Sequence, residues 1–426
     1  MESLVIKNGT IITDTDTYIS DILVENGVIA KIGKGLTADK IYNADGKHIF
    51  PGLVDMHVHL REPGYEYKED INSGCRAAVS GGFTQIACMP NTKPVCDNAA
   101  IVGYILMRSK EVGLAKVLPI GAVTKDEKGE ELAEIGKMKK AGIVAISDDG
   151  QPVWDARLMR LAMEYAEDFG LTVFSHCEDK KLSDGGVVNE GYNSSLCGLK
   201  GIPRAAEEVM VAREIILAET LNKKVHICHI STKGSVALIR EAKKRGVKVT
   251  AETCPHYFSA TDDLICNFDA ATKVNPPLRE DDDVKAIIAG LKDGTIDAIA
   301  TDHAPHHNDE KNIEYNVAAF GISGLETAFA LAYTVLVKEN GLSLNQLVKL
   351  MSRNPSAILG VEGGEIRVGA KADITVCDLN SQWVIDSSKF FSKGKNTPFN
   401  GRAVCGNAVL TIVDGKVVYK EGNICG

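Results

Sequence analysis

The chain has 426 residues, of which 44% are apolar and 25% are charged, and its formal net charge at pH 7 is -9. This length suits a large single-core barrel with a smaller unit attached, and the composition is ordinary for a globular protein. Because no basic run offsets the negative charge, we expect no general binding to nucleic acid or anionic membranes, and a few local cations must hold any anionic ligand.

The amino-terminal residues and the cysteines predict a cytoplasmic protein. The first residues, MESLVIKNGTII, lack the basic start and apolar core of a secretory signal, and no apolar run approaches the roughly 18 residues of a membrane span. The eleven cysteines show no CxxC pair, and several lie in apolar stretches. Such cysteines are typical of small buried side chains in a reducing compartment, rather than of disulfides or a zinc knuckle.

Short β-rich runs at both ends of the chain predict one small composite β domain. Asn-Gly pairs at 8–9 and 26–27 and an Asp-Gly pair at 414–415 predict hairpin turns, because both central positions of a tight hairpin favour positive φ. We expect residues 1–50 and 362–426 to form a small β-sandwich domain together.

Between these ends, β-rich runs alternate with helical stretches and predict an α/β fold, a (β/α)8 TIM-type barrel over residues 51–361. The eight runs are IFPGLVDMHV, FTQIACMP, KVLPIGAV, GIVAIS, LTVFSH, KVHICHIS, VKVTAET and DAIATD. Predicted helices between them include EELAEIGKMKKA, DARLMRLAMEYAEDFG and AAEEVMVAREIILAETL. The stretch from His57 to Asp302 is consistent with the roughly 250 residues typical of this fold. In such a barrel, the catalytic groups gather at the carboxyl ends of the strands.

Side chains that bind metals stand at these predicted strand ends. They are His57 and His59 on strand 1, Asp148 and Asp149 after strand 4, His176 on strand 5, His229 on strand 6 and Asp302 on strand 8, with Asn91 after strand 2. Residues two apart on a strand face the same way, so His57 and His59 can bind one ion. Imidazoles and carboxylates without thiolates suit Zn²⁺ or a similar divalent metal in an open catalytic site. The alternative interpretation of a histidine on a strand is a packed side chain that binds no metal. We adopt this interpretation for His48 and His226.

The motifs PGLVDMHVHLREPG, MPNTKP, SDDGQP, HCED, HICHIS, KVNPPLR and TDHAPH resemble, in order and spacing, the amidohydrolase superfamily. The closest resemblance is to the class I dihydroorotases, and it runs over nearly the whole chain. It implies a metallo-dependent hydrolase with one or two zinc ions, bound by His57, His59 and Asp302 on one side and by His176 and His229 on the other. Many relatives bridge two metals with a carboxylated lysine, which GIVAISDDG lacks. The resemblance places Asp149 in the bridging position, with Asp148 as the alternative.

The resemblance also implies a reaction, the reversible cyclisation of N-carbamoyl-L-aspartate to L-dihydroorotate in pyrimidine biosynthesis. Zinc lowers the pKa of bound water from about 15.7 to about 7, and Asp302 is expected to carry the proton to the departing ring nitrogen. The expected substrate residues are His59, Arg61, Asn91 and His306, the last three at the substrate carboxylate, with Asn275, Phe320 and Gly321 at the ring. A guanidinium can clamp a carboxylate in two-point contact. The alternative for Arg61 is a surface salt bridge with Glu62 or Glu66.

Two other functions stay open at this point. A hydantoinase, dihydropyrimidinase or allantoinase is disfavoured by the missing lysine and by Arg61, and a non-catalytic scaffold for aspartate transcarbamoylase is disfavoured because every metal ligand is present. We expect a homodimer, and association of the active enzyme with aspartate transcarbamoylase remains open. His256 and His307 have no predicted role, and segments 180–200 and 305–316 are expected to be loops over the barrel mouth.

Overall fold

A computed structural model describes residues 3–425 of the chain. The strands are β1 (Leu4–Ile12), β2 (Thr17–Glu25), β3 (Val28–Gly33), β4 (Lys40–Asn43), β5 (His48–Pro51), β6 (Leu53–Val58), β7 (Phe83–Cys88), β8 (Lys116–Ala122), β9 (Ala145–Ser147), β10 (Val173–Ser175), β11 (Val188–Asn189), β12 (Gly201–Ile202), β13 (Val225–Ile227), β14 (Val249–Thr253), β15 (Ala298–Ile299), β16 (Ile374–Val384), β17 (Ala403–Val413), β18 (Lys416–Lys420) and β19 (Asn423–Ile424).

The α-helices are α1 (Ile71–Ser80), α2 (Ala99–Val112), α3 (Ile135–Ala141), α4 (Ala156–Asp168), α5 (Lys180–Ser183), α6 (Tyr192–Cys197), α7 (Ala205–Leu221), α8 (Lys233–Lys244), α9 (Pro255–Ser259), α10 (Asp281–Asp293), α11 (Asn308–Lys311), α12 (Ala328–Leu331), α13 (Leu344–Val348) and α14 (Asn354–Leu359). Short 3-10 helices cover Lys125–Glu127, Asp262–Asn267, Ala270–Thr272 and Ser387–Lys389. Helical turns of the π type cover Ala332–Glu339 and Lys349–Arg353. In residues 3–425, no helix has both the length and the apolar character needed to cross a membrane.

Eight parallel strands form the barrel, in the order β6, β7, β8, β9, β10, β13, β14 and β15. A parallel bridge between Val58 and His303 links the last strand back to the first. Each of the eight predicted runs contains one of these strands, so the predicted barrel is confirmed. The strands are buried on both faces, which explains why their sequences read as continuous apolar runs.

The barrel interior is filled by side chains from its own strands. Val54, Ala87, Ile120, Phe174 and Ala298 belong to one buried cluster and come from five different strands. A larger cluster packs the outer faces of the strands against the surrounding helices. Complete burial of a side chain such as phenylalanine contributes about 1.5–3 kcal/mol, so this layer supports the strand ends rigidly.

Both ends of the chain contribute to one nine-stranded sheet, in the order β19, β18, β17, β16, β5, β1, β2 and β3, with β4 beside β1. The antiparallel pairing of β5 with β16 joins the amino-terminal strands to the carboxyl-terminal ones. This sheet has a separate buried core, to which Ile6, Ile22, Ile374 and Leu410 belong. The domain limits at 50/51 and 361/362 stay a prediction.

Two of the three predicted hairpin turns are confirmed and one is wrong. Residues 26–27 connect β2 to β3 and residues 414–415 connect β17 to β18, all with positive φ. Asn8 and Gly9 instead lie inside β1, where the pairing with β2 shifts register and Asn8 has φ 61°. A Cβ atom on Gly9 would lie 2.4 Å from the side chain of Ile49, so the glycine permits close approach of β5 at a bulge.

Candidate metal centre and substrate cavity

Six predicted metal ligands meet at the carboxyl ends of the barrel strands. His57 lies on β6 and His59 directly after it, while Asp149, His176, His229 and Asp302 follow β9, β10, β13 and β15. All six are buried. Because the ends of neighbouring parallel strands meet at one face of a barrel, positions far apart in the sequence share one site here.

Asp149 lies at the centre of this group. Its Oδ1 atom is 3.4 Å from Nε2 of His57, 3.4 Å from Nδ1 of His176 and 3.4 Å from Nε2 of His229. Its Oδ2 atom is 3.4 Å from Nε2 of His59. One carboxylate therefore faces both histidine pairs. The first pair is His57 and His59 at the end of β6, and the second is His176 and His229, which follow β10 and β13.

Asp302 faces the first histidine pair. Its Oδ1 atom is 3.1 Å from Nε2 of His59 and 3.6 Å from Nε2 of His57. In the second pair, Nδ1 of His176 is 2.8 Å from Nε2 of His229. The six side chains thus form two sets of converging nitrogen and oxygen atoms that have Asp149 in common.

The donor atoms fit a divalent metal. A tetrahedral ion with bonds of about 2.0–2.1 Å separates its ligand atoms by roughly 3.3 Å, close to the spacings observed around Asp149. Nε2 of His57 and Oδ1 of Asp149 are buried without a hydrogen-bond partner. Burying such atoms unpaired is costly, and a cation between them would satisfy both.

Electrostatics keep both aspartates charged. Burial by itself raises the pKa of a carboxyl group, but the facing histidines outweigh it and hold the pKa of Asp149 well below its usual range. The pKa of Asp302 is also lowered, because the contacts with His59 and His57 outweigh its burial. Two charged carboxylates among imidazoles suit a cation of the zinc type.

Asp148 does not point toward the histidines. Its Oδ1 atom accepts the backbone N–H of Val123 at 2.7 Å and that of Thr124 at 3.1 Å, and its Oδ2 atom accepts the Thr124 hydroxyl. Burial raises the pKa of Asp148 to about 6. Both of its oxygens thus bind the residues that follow β8, and Asp149 is the aspartate that reaches the centre.

An outer carboxylate orients His57, and the sequence did not reveal it. Oε1 of Glu252 lies 2.7 Å from Nδ1 of His57, and Oε2 lies 3.3 Å from Nε2 of His226. Such a partner on the far nitrogen fixes the tautomer that leaves the near nitrogen free for a metal. Nδ1 of His226 lies 2.9 Å from Oγ1 of Thr250, and its ring packs against Phe174.

Two further groups hold the far nitrogens of other histidines. Nδ1 of His59 lies 2.9 Å from Oδ1 of Asn91, and Nε2 of His176 lies 3.1 Å from Oε2 of Glu178. The same Glu178 oxygen accepts from Nδ2 of Asn275 at 3.0 Å. The signal for Glu178 was its position in HCED, two residues after His176, but an acidic residue in a loop is too common to be singled out.

Three residues of the site have a backbone conformation that is unusual for residues other than glycine. Arg61 has φ 62°, His229 has φ 31° and Asp302 has φ 48°. Each such conformation costs on the order of 1–3 kcal/mol and tends to occur at functional sites. The packed barrel supports these strained strand ends, which aim the three side chains at one space.

A cavity of about 380 Å³ opens above the six side chains. All the predicted substrate residues line it, namely His59, Arg61, Asn91, Asn275, His306, Phe320 and Gly321. The segment between β10 and α7 also lines the cavity, with His176, Glu178, Lys180, Ser183, Gly185, Gly186 and Ile202. Both segments that were expected to be loops contribute residues to the cavity, but they are not simple loops, because the first contains α5, β11 and α6 and the second contains α11. The cavity has the size of a small-molecule site.

Arg61 forms no ion pair with a carboxylate in the part of the chain that the structure describes. Its Nη2 atom lies 3.2 Å from Nε2 of His306. Glu62 instead pairs with Nε of Arg108 at 2.8 Å, and Glu66 accepts the backbone N–H two residues before it. The predicted alternative, a salt bridge of Arg61 with Glu62 or Glu66, is therefore wrong.

Buried lysines shape the wall near Phe320. Nζ of Lys311 donates to the carbonyl oxygens of Ala319 at 2.8 Å and Gly321 at 2.9 Å. Nζ of Lys273 lies 4.5 Å from the centre of the Phe320 ring. Neither lysine could be singled out from its sequence position, because a lysine is usually a surface residue.

The two unassigned histidines lie outside the ligand group. His256 is buried against the ring of Tyr257, with ring centres 4.2 Å apart. His307 is partly exposed and accepts the backbone N–H of Asp309 at the start of α11.

Comparisons with known proteins show which family this chain resembles in sequence. Residues 46–235 match a family model described as dihydro-orotase-like, and residues 290–419 match a model described as an amidohydrolase family. The chain is 57% identical to a dihydroorotase of Acetivibrio thermocellus, over 98% of this chain and 99% of that one. It is 55% identical to a dihydroorotase of Pelobacter propionicus, over 98% and 100% of the two chains.

Solved structures with the same fold include cyclic amidohydrolases. An L-hydantoinase from Arthrobacter aurescens aligns with a TM-score of 0.89 at 26% identity and covers 100% of this chain and 98% of its own. A dihydropyrimidinase from Brevibacillus agri aligns with a TM-score of 0.86 at 24% identity, over 100% and 96% of the two chains. The second likeness supports the fold alone.

Proposed function

Because the chain belongs to the dihydroorotase-like family of amidohydrolases, we propose that it interconverts N-carbamoyl-L-aspartate and L-dihydroorotate. In the hydrolytic direction, water adds to a ring carbonyl carbon, the ring C–N bond breaks and the nitrogen gains a proton. In the biosynthetic direction, the same steps run in reverse and release water.

The observation that carries this proposal is the charge of Arg61 inside the cavity. Its guanidinium lies two residues beyond His59 and has no carboxylate partner within residues 3–425. A partly buried cation without an ion-pair partner is costly, and the carboxylate of dihydroorotate would supply that partner. The uncharged rings of hydantoins and dihydropyrimidines would not, so Arg61 favours a dihydroorotase over these relatives.

We propose that zinc is the metal and that the site holds one or two ions. His57, His59 and Asp302 would hold one ion, His176 and His229 the other, and Asp149 would face both. When bound, the metal supplies Lewis acidity that activates water and polarises the substrate carbonyl.

Asp302 is the proposed proton carrier. Its carboxylate lies beside His59 and lines the cavity, where a bound substrate and the attacking water would meet it. It takes a proton from the attacking water and returns it to the ring nitrogen as the C–N bond breaks. The lowered pKa of Asp302 keeps its carboxylate ionised at pH 7, and the ionised form is the one that can accept a proton.

The cavity residues are proposed to hold the substrate in two places. Arg61 and Asn91 would hold the exocyclic carboxylate, and His306 would hold the guanidinium of Arg61 in place beside it. Asn275 and the backbone around Phe320 and Gly321 would contact the ring. Fixing both ends of a small ring places its carbonyl over the metal centre and lowers the entropic part of the barrier.

The first experiment measures dihydroorotate hydrolysis by ultraviolet absorbance on purified protein, with metal content read on the same sample. We expect a chelator to abolish turnover and zinc to restore it, and we expect hydantoin and dihydrouracil to react far more slowly than dihydroorotate. Bound zinc with turnover of only the uncharged rings would overturn the proposal and favour a hydantoinase or dihydropyrimidinase. Bound zinc without any turnover would favour a non-catalytic scaffold.

We also propose that the enzyme is a cytoplasmic homodimer, since closed two-fold assemblies are the commonest among enzymes of this kind. Light scattering during size-exclusion chromatography checks this assembly, and a monomeric mass would contradict it.

Association with aspartate transcarbamoylase is a second proposal, and sedimentation of the two proteins mixed in equal amounts tests it.

A further inference from the structure

Two cysteine sulfur atoms lie in direct contact at the rim of the barrel. Sγ of Cys197, at the end of α6, is 2.9 Å from Sγ of Cys266, in the short helix Asp262–Asn267. Both thiols are free and partly exposed. The other partly exposed cysteines in residues 3–425, Cys405 and Cys425, have no sulfur neighbour and contact Lys338 and the backbone of Asn423.

The segments that carry these thiols are already docked to each other. Nδ2 of Asn193 donates to Oδ1 of Asp262 at 2.8 Å and to Oδ1 of Asp263 at 2.9 Å. Nδ2 of Asn189 donates to the other oxygen of Asp262 at 2.8 Å. A disulfide has an S–S distance of about 2.05 Å, so closing this pair requires a movement of about 0.9 Å between two segments that are held side by side.

The pair also connects to the substrate cavity. Cys197 and Cys266 pack against a buried cluster formed by Val187, Val188, Leu199, Ile265 and Tyr315. Phe320, which lines the cavity, packs against the same cluster. The segment 180–202, which lies between β10 and α7, contributes both Cys197 and five lining residues of the cavity. A bond between the two sulfurs would therefore restrain one wall of the cavity against its neighbour.

We propose that Cys197 and Cys266 form a reversible dithiol-disulfide site that takes a small-molecule disulfide as its oxidant and slows turnover when it closes. One protein thiolate attacks a sulfur of oxidised glutathione, forms a mixed disulfide and releases one glutathione thiolate. The second protein sulfur displaces the other glutathione. The two protein thiols lose two electrons and two protons, and one oxidised glutathione becomes two reduced ones.

Peptide mapping tests the bond itself. The zinc-loaded, full-length protein is equilibrated in glutathione buffers of increasing oxidised fraction, quenched with acid, alkylated and digested. We expect a peptide pair joined through Cys197 and Cys266 that is absent from Cys197→Ser and Cys266→Ser and retained in the matched control Cys405→Ser. Alkylation of both thiols at the most oxidising ratio would overturn the proposal.

Kinetics test the link to the cavity, and this part rests on the proposed dihydroorotase activity. We expect kcat/KM for dihydroorotate to fall about threefold or more in the oxidised protein, because coupled walls move less freely, and to recover with a phosphine reductant. Cys197→Ser should show no fall under the same oxidant. If the disulfide-linked peptide pair forms but kcat/KM does not change, the bond does not restrain the cavity wall and this part of the proposal is wrong. Inactivity of the reduced protein would instead contradict the proposed function, while peptide mapping would still decide the thiol site.

Discussion

Nη2 of Arg61 lies 3.2 Å from Nε2 of His306 at the barrel mouth, and Nδ1 of His306 lies 2.9 Å from Oε2 of Glu310. Burial and the adjacent guanidinium lower the pKa of His306 to about 3, so the ring is neutral at pH 7. Its Nδ1–H then donates to Glu310, and its Nε2 accepts from Arg61. The imidazole fixes the position of the guanidinium without neutralising it, which leaves the charge of Arg61 available to a substrate carboxylate.

We expect Arg61→Met to lower kcat/KM for dihydroorotate by about 100-fold or more, because breaking a buried charge pair costs roughly 3 kcal/mol or more. Steady-state kinetics on the zinc-loaded variant measure this loss. Arg61→Lys is the matched control, and it should recover only part of the rate because a single ammonium cannot make the two-point contact. A loss of less than about threefold in Arg61→Met would exclude the clamp.

Asp302→Asn should abolish turnover and leave the fold intact. An amide cannot accept the proton of the attacking water at neutral pH, while its shape and burial match those of the carboxylic acid. Circular dichroism and thermal unfolding check the fold, and dihydroorotate hydrolysis checks the activity. Turnover at the rate of the unmodified enzyme would rule out Asp302 as the proton carrier.

Asp149→Asn and Asp148→Asn separate the two neighbouring aspartates. We expect Asp149→Asn to lose at least about half of the bound zinc and 100-fold or more in kcat, since loss of a charged ligand weakens both histidine sets. Asp148→Asn keeps an oxygen for the backbone N–H groups of Val123 and Thr124 and should retain its zinc. Elemental analysis after dialysis compares the two variants, and equal zinc loss in both would contradict the assignment of Asp149.

The barrel and the meeting of the candidate ligands at its mouth could be predicted from the sequence because both follow from local pattern. An apolar run ending in His57 or Asp302 marks a buried strand and its carboxyl end, and parallel strands place such ends together. The partners of these ligands could not be predicted in this way. Glu252 acts through His57 and Lys311 acts through the carbonyl of Gly321, and each pairing joins segments that meet only after the barrel closes.

The bulge at Asn8 and Gly9 illustrates the same limit. The Asn-Gly pair has the composition of a hairpin turn, and the positive φ of Asn8 agrees with that expectation. The outcome depends on neighbours, however, because β1 pairs with β2 on one side and with β4 and β5 on the other. Tertiary pairing therefore overrides the local turn preference.

Lys311→Met should raise KM for dihydroorotate and lower kcat/KM by about tenfold or more. The substitution keeps an unbranched side chain one atom shorter but leaves the carbonyls of Ala319 and Gly321 without their donor, which loosens the cavity wall. Lys285→Met is the matched control, because Lys285 is exposed on α10 and its pairing with Asp281 lies on the surface. Equal kinetics for the two variants would show that Lys311 does not position the wall.

Glu326 should make the stability of the protein depend on pH. It accepts the backbone N–H groups of Phe391 at 2.7 Å and Ser392 at 3.2 Å, and burial raises its pKa from 4.5 to about 7. The folded protein then holds a proton between pH 4.5 and 7 that the unfolded chain releases. The stabilisation from this proton is complete below pH 4.5 and is lost as the pH rises through about 7.

We therefore expect the free energy of unfolding in urea to fall between pH 5 and pH 8, with a contribution from Glu326 on the order of 2 kcal/mol. Glu326→Gln should remove this contribution, because its amide does not titrate. The pH dependence that all other groups contribute to the free energy of unfolding should stay unchanged. The exposed Glu130→Gln is the control and should keep the full pH dependence. If Glu326→Gln and the unmodified protein lose the same free energy over this range, then the proton held at Glu326 does not stabilise the folded state.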